Sequence, residues 1–166
     1  MPDLELTRTP GDRRLYALDL VGTMRLEGWF SRTASADADG TKWRFARTGF
    51  WQRGIVATDT AGSTVGEFAP NTLRRGGALR WAGRDLTLRA SSAWRERYAL
   101  ADGERELAVL DGKGWGRRPV KVTIGDVGDI DPGLLLFAAF VVRSLAEDAS
   151  SAAAAGSTAA VSSSSG

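Results

Sequence analysis

Two hydrophobic patterns divide this chain. Between Leu15 and Ile124 the apolar residues recur at every second position in short runs, whereas from Leu134 to Val142 they are continuous. A period of two places apolar side chains on one face of a pleated strand and polar ones on the other. The alternation is sharpest at Leu86, Leu88 and Ala90 against Thr87 and Arg89, and at Val120, Val122 and Ile124 against Lys121 and Thr123. On this basis strands are expected at Leu15–Leu20, Thr23–Phe30, Trp43–Thr48, Trp51–Thr58, Val65–Phe68, Leu79–Trp81, Leu86–Ala90, Trp94–Ala101, Glu104–Leu110 and Pro119–Ile124. Gly83 and Asp102-Gly103 read as hairpin turns, the latter of type I′. Ser31–Gly40 consists of turn formers and reads as a loop. About ten short, Gly-punctuated strands with no helical segment between them indicate a sandwich or barrel rather than parallel βαβ units.

The continuous run opens differently. Asp131 suits a helix N-cap and Pro132 the first helical position, so a helix is expected over Asp131–Ala146. The nine residues from Leu134 to Val142 point in every direction around it, leaving no polar face for water. Nine residues cover less than half of the ~30 Å that a membrane span requires. Such a helix has to be enclosed by protein, and a closed sheet is the enclosure the preceding strands can build. The expected fold is therefore mainly β: a closed antiparallel barrel of about ten to twelve strands around a buried apolar C-terminal α-helix. Residues 1–14 read as a flexible lead-in, 15–146 as the barrel with its helix, and the Ala/Ser-rich residues 147–166 as a disordered tail. Arg143, the one charge near the end of the apolar run, is expected to bond the last helical carbonyls.

Composition narrows the chemistry. The chain has neither Cys nor His, which removes disulfides, thiolate metal sites and the Ser-His and Cys-His nucleophile systems. Neither a Walker phosphate loop nor a dinucleotide fingerprint is present. No cofactor and no metal are expected. Ser35–Gly40 has alternate oxygen side chains, but Ala46 stands where a calcium loop places its bidentate Glu. Asp126, Asp129 and Asp131 read as loop and cap residues. The N-terminus shows no apolar signal-peptide core, so a cytoplasmic protein without a transmembrane segment is the expectation.

Charge is unevenly spread. Residues 41–121 carry sixteen Lys and Arg against eight Asp and Glu, although the whole chain is only +2. Such a basic body attracts phosphates or anionic lipid without reading a nucleic-acid sequence. Four basic pairs are candidates for an anion or lipid-headgroup site. Arg74-Arg75 and Arg117-Arg118 lie beside glycines, where close backbone approach and guanidinium forks suit a phosphate. Lys42/Arg44 and Arg95/Arg97 have the i, i+2 spacing that places both charges on one strand face. The same patterns also describe a solvated outer barrel wall. Trp and Arg interleave at Trp43/Arg44, Trp51/Arg53 and Trp81/Arg80, as a barrel core with outer arginines would require.

A run of antiparallel strands ending in a short, wholly apolar helix resembles the tubby C-terminal-like superfamily, which includes tubby domains, phospholipid scramblases and LURP-one-related proteins. The resemblance covers roughly Leu15–Ala146 and rests on strand order, on the Gly-Trp and hairpin texture of Gly28–Asp111, and on Asp131–Ala146 as terminal helix. It implies a twelve-stranded barrel around that helix and, from tubby domains, phosphoinositide binding through a basic-x-basic strand pair. Lys42-Trp43-Arg44 and Arg95-Glu96-Arg97 both match that pair. The palmitoylated cysteines of scramblases have no counterpart here. The resulting expectation is a non-catalytic module binding an anionic phospholipid headgroup or another phosphorylated ligand, peripheral to a membrane. The alternatives are a protein–protein scaffold and, last, an enzyme relying on carboxylates alone.

Overall fold

The structure is a computed structural model that describes residues 3–28, 32–49, 54–92, 96–112, 120–125 and 130–161. Twelve strands follow in order: β1 (Asp3–Arg8), β2 (Leu15–Leu18), β3 (Gly22–Glu27), β4 (Thr33–Ala38), β5 (Thr41–Thr48), β6 (Gly54–Asp59), β7 (Thr64–Pro70), β8 (Gly76–Trp81), β9 (Arg84–Ala90), β10 (Arg97–Asp102), β11 (Arg105–Asp111) and β12 (Val120–Ile124). Each pairs antiparallel with its sequence neighbours, and β1 closes the ring against β12 with Leu4 opposite Val122. An even number of up-and-down strands is what lets the first and last meet antiparallel. The helix α1 (Pro132–Val161) follows.

Inward positions carry the bulk. Leu6, Leu18, Met24, Phe45, Leu79, Leu88, Leu100 and Leu110 are at most 2% exposed, and every residue from Leu134 to Val142 is equally buried. The apolar segment of α1 therefore runs inside the barrel, as its missing polar face demands. Asp131 caps it, accepting from the Gly133 amide at 2.7 Å and from Leu134 at 3.3 Å. Ser144, the polar residue buried on the helix, donates to the Phe140 carbonyl at 3.0 Å. An aromatic column fixes the helix from one side. Phe45 meets Phe137 and Phe140 at ring-centroid distances of 5.2 and 5.8 Å, while Trp81 meets Phe137 at 5.5 Å and Trp43 at 6.0 Å. The helix lies nearest β4, where Ala34, Ala36 and Ala38 present only methyl groups inward. Small side chains are what let a helix approach a wall that closely.

The two ends of the barrel differ. At one end connections of two to four residues join the strands. Asp39-Gly40 and Ala82-Gly83 have left-handed φ at both positions, as a type I′ hairpin turn requires. The helix enters here, its Gly133 against the indoles of Trp43 and Trp81. At the other end the connections run to five residues or more, and the helix leaves there.

Four expectations are corrected. Residues 3–8 are not a lead-in but β1, because Leu4 and Leu6 alternate inward and are needed to close the ring. Ser31–Gly40 is mostly β4, whose inward residues are alanines rather than bulky side chains. The turn after β10 is Gly103-Glu104, with Asp102 paired to Arg105 and only Gly103 at positive φ. Finally, the Ala/Ser segment through Val161 continues the helix, so Arg143 lies mid-helix instead of at its C-terminus. Alanine is the strongest helix former, and a helix already nucleated in the barrel extends at low cost.

Candidate functional site

Charged side chains and a cleft gather at the mouth where α1 leaves the barrel. Arg47 stands near the end of β5 on the same side as Trp43 and Phe45. That parity aims it at the helix, and both its hydrogen bonds go there, from Nη2 to the two Asp148 carboxylate oxygens at 2.7 Å each. The pair is well covered, with side chains 16% and 25% exposed. One turn earlier, Arg143 reaches Glu147 at 2.5 Å. Burial lowers the pKa of the Arg143 guanidinium and raises that of the Glu147 carboxyl, each opposed by the other's charge. The Arg47–Asp148 pair thus ties the helix to the rim, while Arg143–Glu147 is an i, i+4 pair within the helix itself.

Beside them, the β7–β8 loop forms a cleft of about 390 Å³ against the helix, lined by Arg74, Arg75, Tyr98, Leu145, Asp148 and Ala152 among others. The loop is held in shape. Asn71 donates its amide to the Gly76 carbonyl at 2.8 Å, and its side-chain oxygen accepts the Leu73 amide at 2.9 Å. Gly76 closes it at φ 102°, where any Cβ would sit 2.0 Å from the Leu88 carbonyl oxygen. Tyr98 Oη donates to Glu96 at 3.2 Å, and Arg75 reaches the other Glu96 oxygen at 3.4 Å. Burial and the adjacent Glu96 charge push the Tyr98 phenol up to about 12. At neutral pH it is therefore a fixed donor that holds Glu96, and through it Arg75. Among the described residues Arg74 has no hydrogen-bond or ion-pair partner, and it is exposed. The arrangement presents guanidinium groups on a preformed loop above a partly apolar cleft, which is the chemistry of anion binding rather than of proton transfer.

The structure separates the sequence candidates. Arg74 and Arg75 are at this mouth, and Arg97 begins β10 close by on the outer wall, exposed. Lys42 and Arg44 are exposed on the outer wall of β5, Lys42 beside the tight turn at the opposite end and facing Asp37 across the ladder. Lys42 and Arg44 thus lie on β5, and Arg97, the described member of the other basic-x-basic candidate, on β10. Arg95, Arg117 and Arg118 lie outside the described residues, as do Asp126 and Asp129. No match was found for this chain among protein-family models, curated proteins or solved structures.

Three arginines of the outer wall hold carboxylates. Arg80 pairs with Asp85 at 2.9 Å, Arg84 with Asp102 at 2.5 Å and Arg25 with Asp12 at 2.8 Å. Trp81 faces the core rather than solvent. Among the described residues no group of three acidic side chains gathers as a metal site, and no helix is long and apolar enough to cross a membrane. Arg47, Tyr98, Glu147 and Asp148 were not singled out by the sequence reading. Arg47 alone left a trace there, as an arginine at the inward parity of an aromatic strand.

Proposed function

We propose that this chain is a tubby-like, non-catalytic cytoplasmic module that binds anionic phospholipid headgroups through the guanidinium groups at the helix-exit mouth. The observation that carries this reading is the preformed Arg74-Arg75 loop, exposed over a cleft and held in shape by the Asn71 hydrogen bonds. A guanidinium that has no carboxylate partner among the described residues is available to a phosphate, and a loop already closed loses little further entropy on binding. The closed twelve-stranded barrel around a terminal helix is the architecture that the tubby-like resemblance implies, and it supports the same reading.

Sedimentation with vesicles of phosphatidylcholine alone, or mixed with phosphatidylserine, tests it. Binding to the mixed vesicles that weakens with salt is expected, with Arg74→Ala and Arg75→Ala each reducing it. Equal binding to neutral vesicles, or none to either, would falsify it.

A further inference from the structure

Two large apolar side chains stand fully in solvent: Leu20, 103% exposed, and Leu73, 93% exposed. They occupy opposite ends of the barrel and different electrical surroundings. Leu20 follows Asp19 in the tight β2–β3 connection. Leu73 is the tip of the β7–β8 loop and precedes Arg74 and Arg75, with no acidic residue anywhere from Pro70 to Gly76. The Asn71 side-chain bond to the Leu73 amide and the Asn71–Gly76 closure hold the leucine out from the wall. A loop merely fraying into water would not be pinned at both sides of its apolar tip.

A soluble anion would engage the arginines and leave Leu73 in water. A bilayer carrying anionic headgroups satisfies both: guanidinium groups at the phosphate level and a leucine just below it, among the acyl chains. We infer that Leu73 is a membrane-inserting anchor and that the partner of the Arg74-Arg75 loop is an anionic bilayer surface. The inference rests on the anion-binding reading above and adds the insertion step. Since α1 passes the loop at Ala152 and continues beyond it, the barrel axis lies oblique to the surface when Leu73 reaches it.

The absence of cysteine makes the test clean. Leu73→Cys in the full chain is labelled with an environment-sensitive dye, and Leu20→Cys serves as control. With phosphatidylcholine–phosphatidylserine vesicles a blue shift and a severalfold intensity rise are expected at position 73 and not at 20. Glycerophosphoserine, the soluble headgroup, should produce neither. Leu73→Ser, a surface change that leaves the core intact, should weaken vesicle binding about tenfold while preserving its salt dependence. If the labelled protein sediments with mixed vesicles while the dye at 73 stays in water, or if Leu73→Ser binds as well as the parent, the anchor is refuted and headgroup binding stands. If no vesicles are bound, both readings fall.

Discussion

Gly133→Ala offers a sharp sign test. In a solvated helix, replacing Gly by Ala gains up to about 1 kcal/mol. Here the new methyl carbon would lie 2.6 Å from Cζ2 of Trp81 and 2.7 Å from Cζ2 of Trp43, whereas carbon atoms settle at ~3.5–4.0 Å. Relief requires a shift of about 1 Å. Trp81 is not free to make it, because it is 5% exposed and packed on Phe137 as well as on Trp43. Overpacking of this kind costs ~1–3 kcal/mol, which at its middle value outweighs the propensity gain and leaves a net loss of about 1 kcal/mol. Gly156 on the same helix is the control. A methyl group added there would meet nothing within 4 Å, so Gly156→Ala should raise helicity by circular dichroism without moving the global transition. Urea denaturation followed by tryptophan fluorescence checks the first variant. A Gly133→Ala protein as stable as the parent, or more so, would mean that the helix does not enter between those indoles.

Three further outcomes follow from the same packing. Phe137→Asp places a carboxylate at a site of 0% exposure between Phe45 and Trp81, and should cost several kcal/mol or abolish cooperative folding; a parental melting curve would contradict this. Tyr98 should ionise only near pH 12. Because its folded pKa lies above the unfolded value of ~10, its contribution is complete below pH ~10 and lost as pH rises through 12. Ultraviolet titration of the parent against Tyr98→Phe should show one tyrosine missing from the late transition. For Arg47–Asp148, a double-mutant cycle with Arg47→Met and Asp148→Asn should return a coupling of ~1–2 kcal/mol, measured by denaturation, and a coupling near zero would show that the pair does not tie the helix to β5.

Legibility in the sequence followed side-chain size. Strands with bulky inward residues, such as β8 and β9 with Leu79, Trp81, Leu86 and Leu88, were visible from alternation alone. β4 alternates just as strictly, yet its inward residues are Ala34, Ala36 and Ala38, small because the helix lies closest there. Its Thr, Ser and Asp positions then mimic a loop. β1 offers only Leu4 and Leu6, and its role depends on a partner more than a hundred residues away. The run of nine apolar residues announced the enclosed helix without showing how far it extends, since Ala and Ser supply helix propensity but no amphipathic pattern. At the mouth, Arg74-Arg75 could be read from local sequence. The Arg47–Asp148 pair spans 101 positions, and only closure of the barrel brings it together.

The apolar segment of α1 is enclosed by the strands while the same helix continues into solvent. Amide hydrogen exchange resolved along α1 measures both parts at once. Leu134–Val142 should exchange only through global unfolding, whereas Ser150–Gly156, exposed beyond the mouth, should exchange orders of magnitude faster. Equal rates along the whole helix would contradict the enclosure, and with it the mouth that this exit creates.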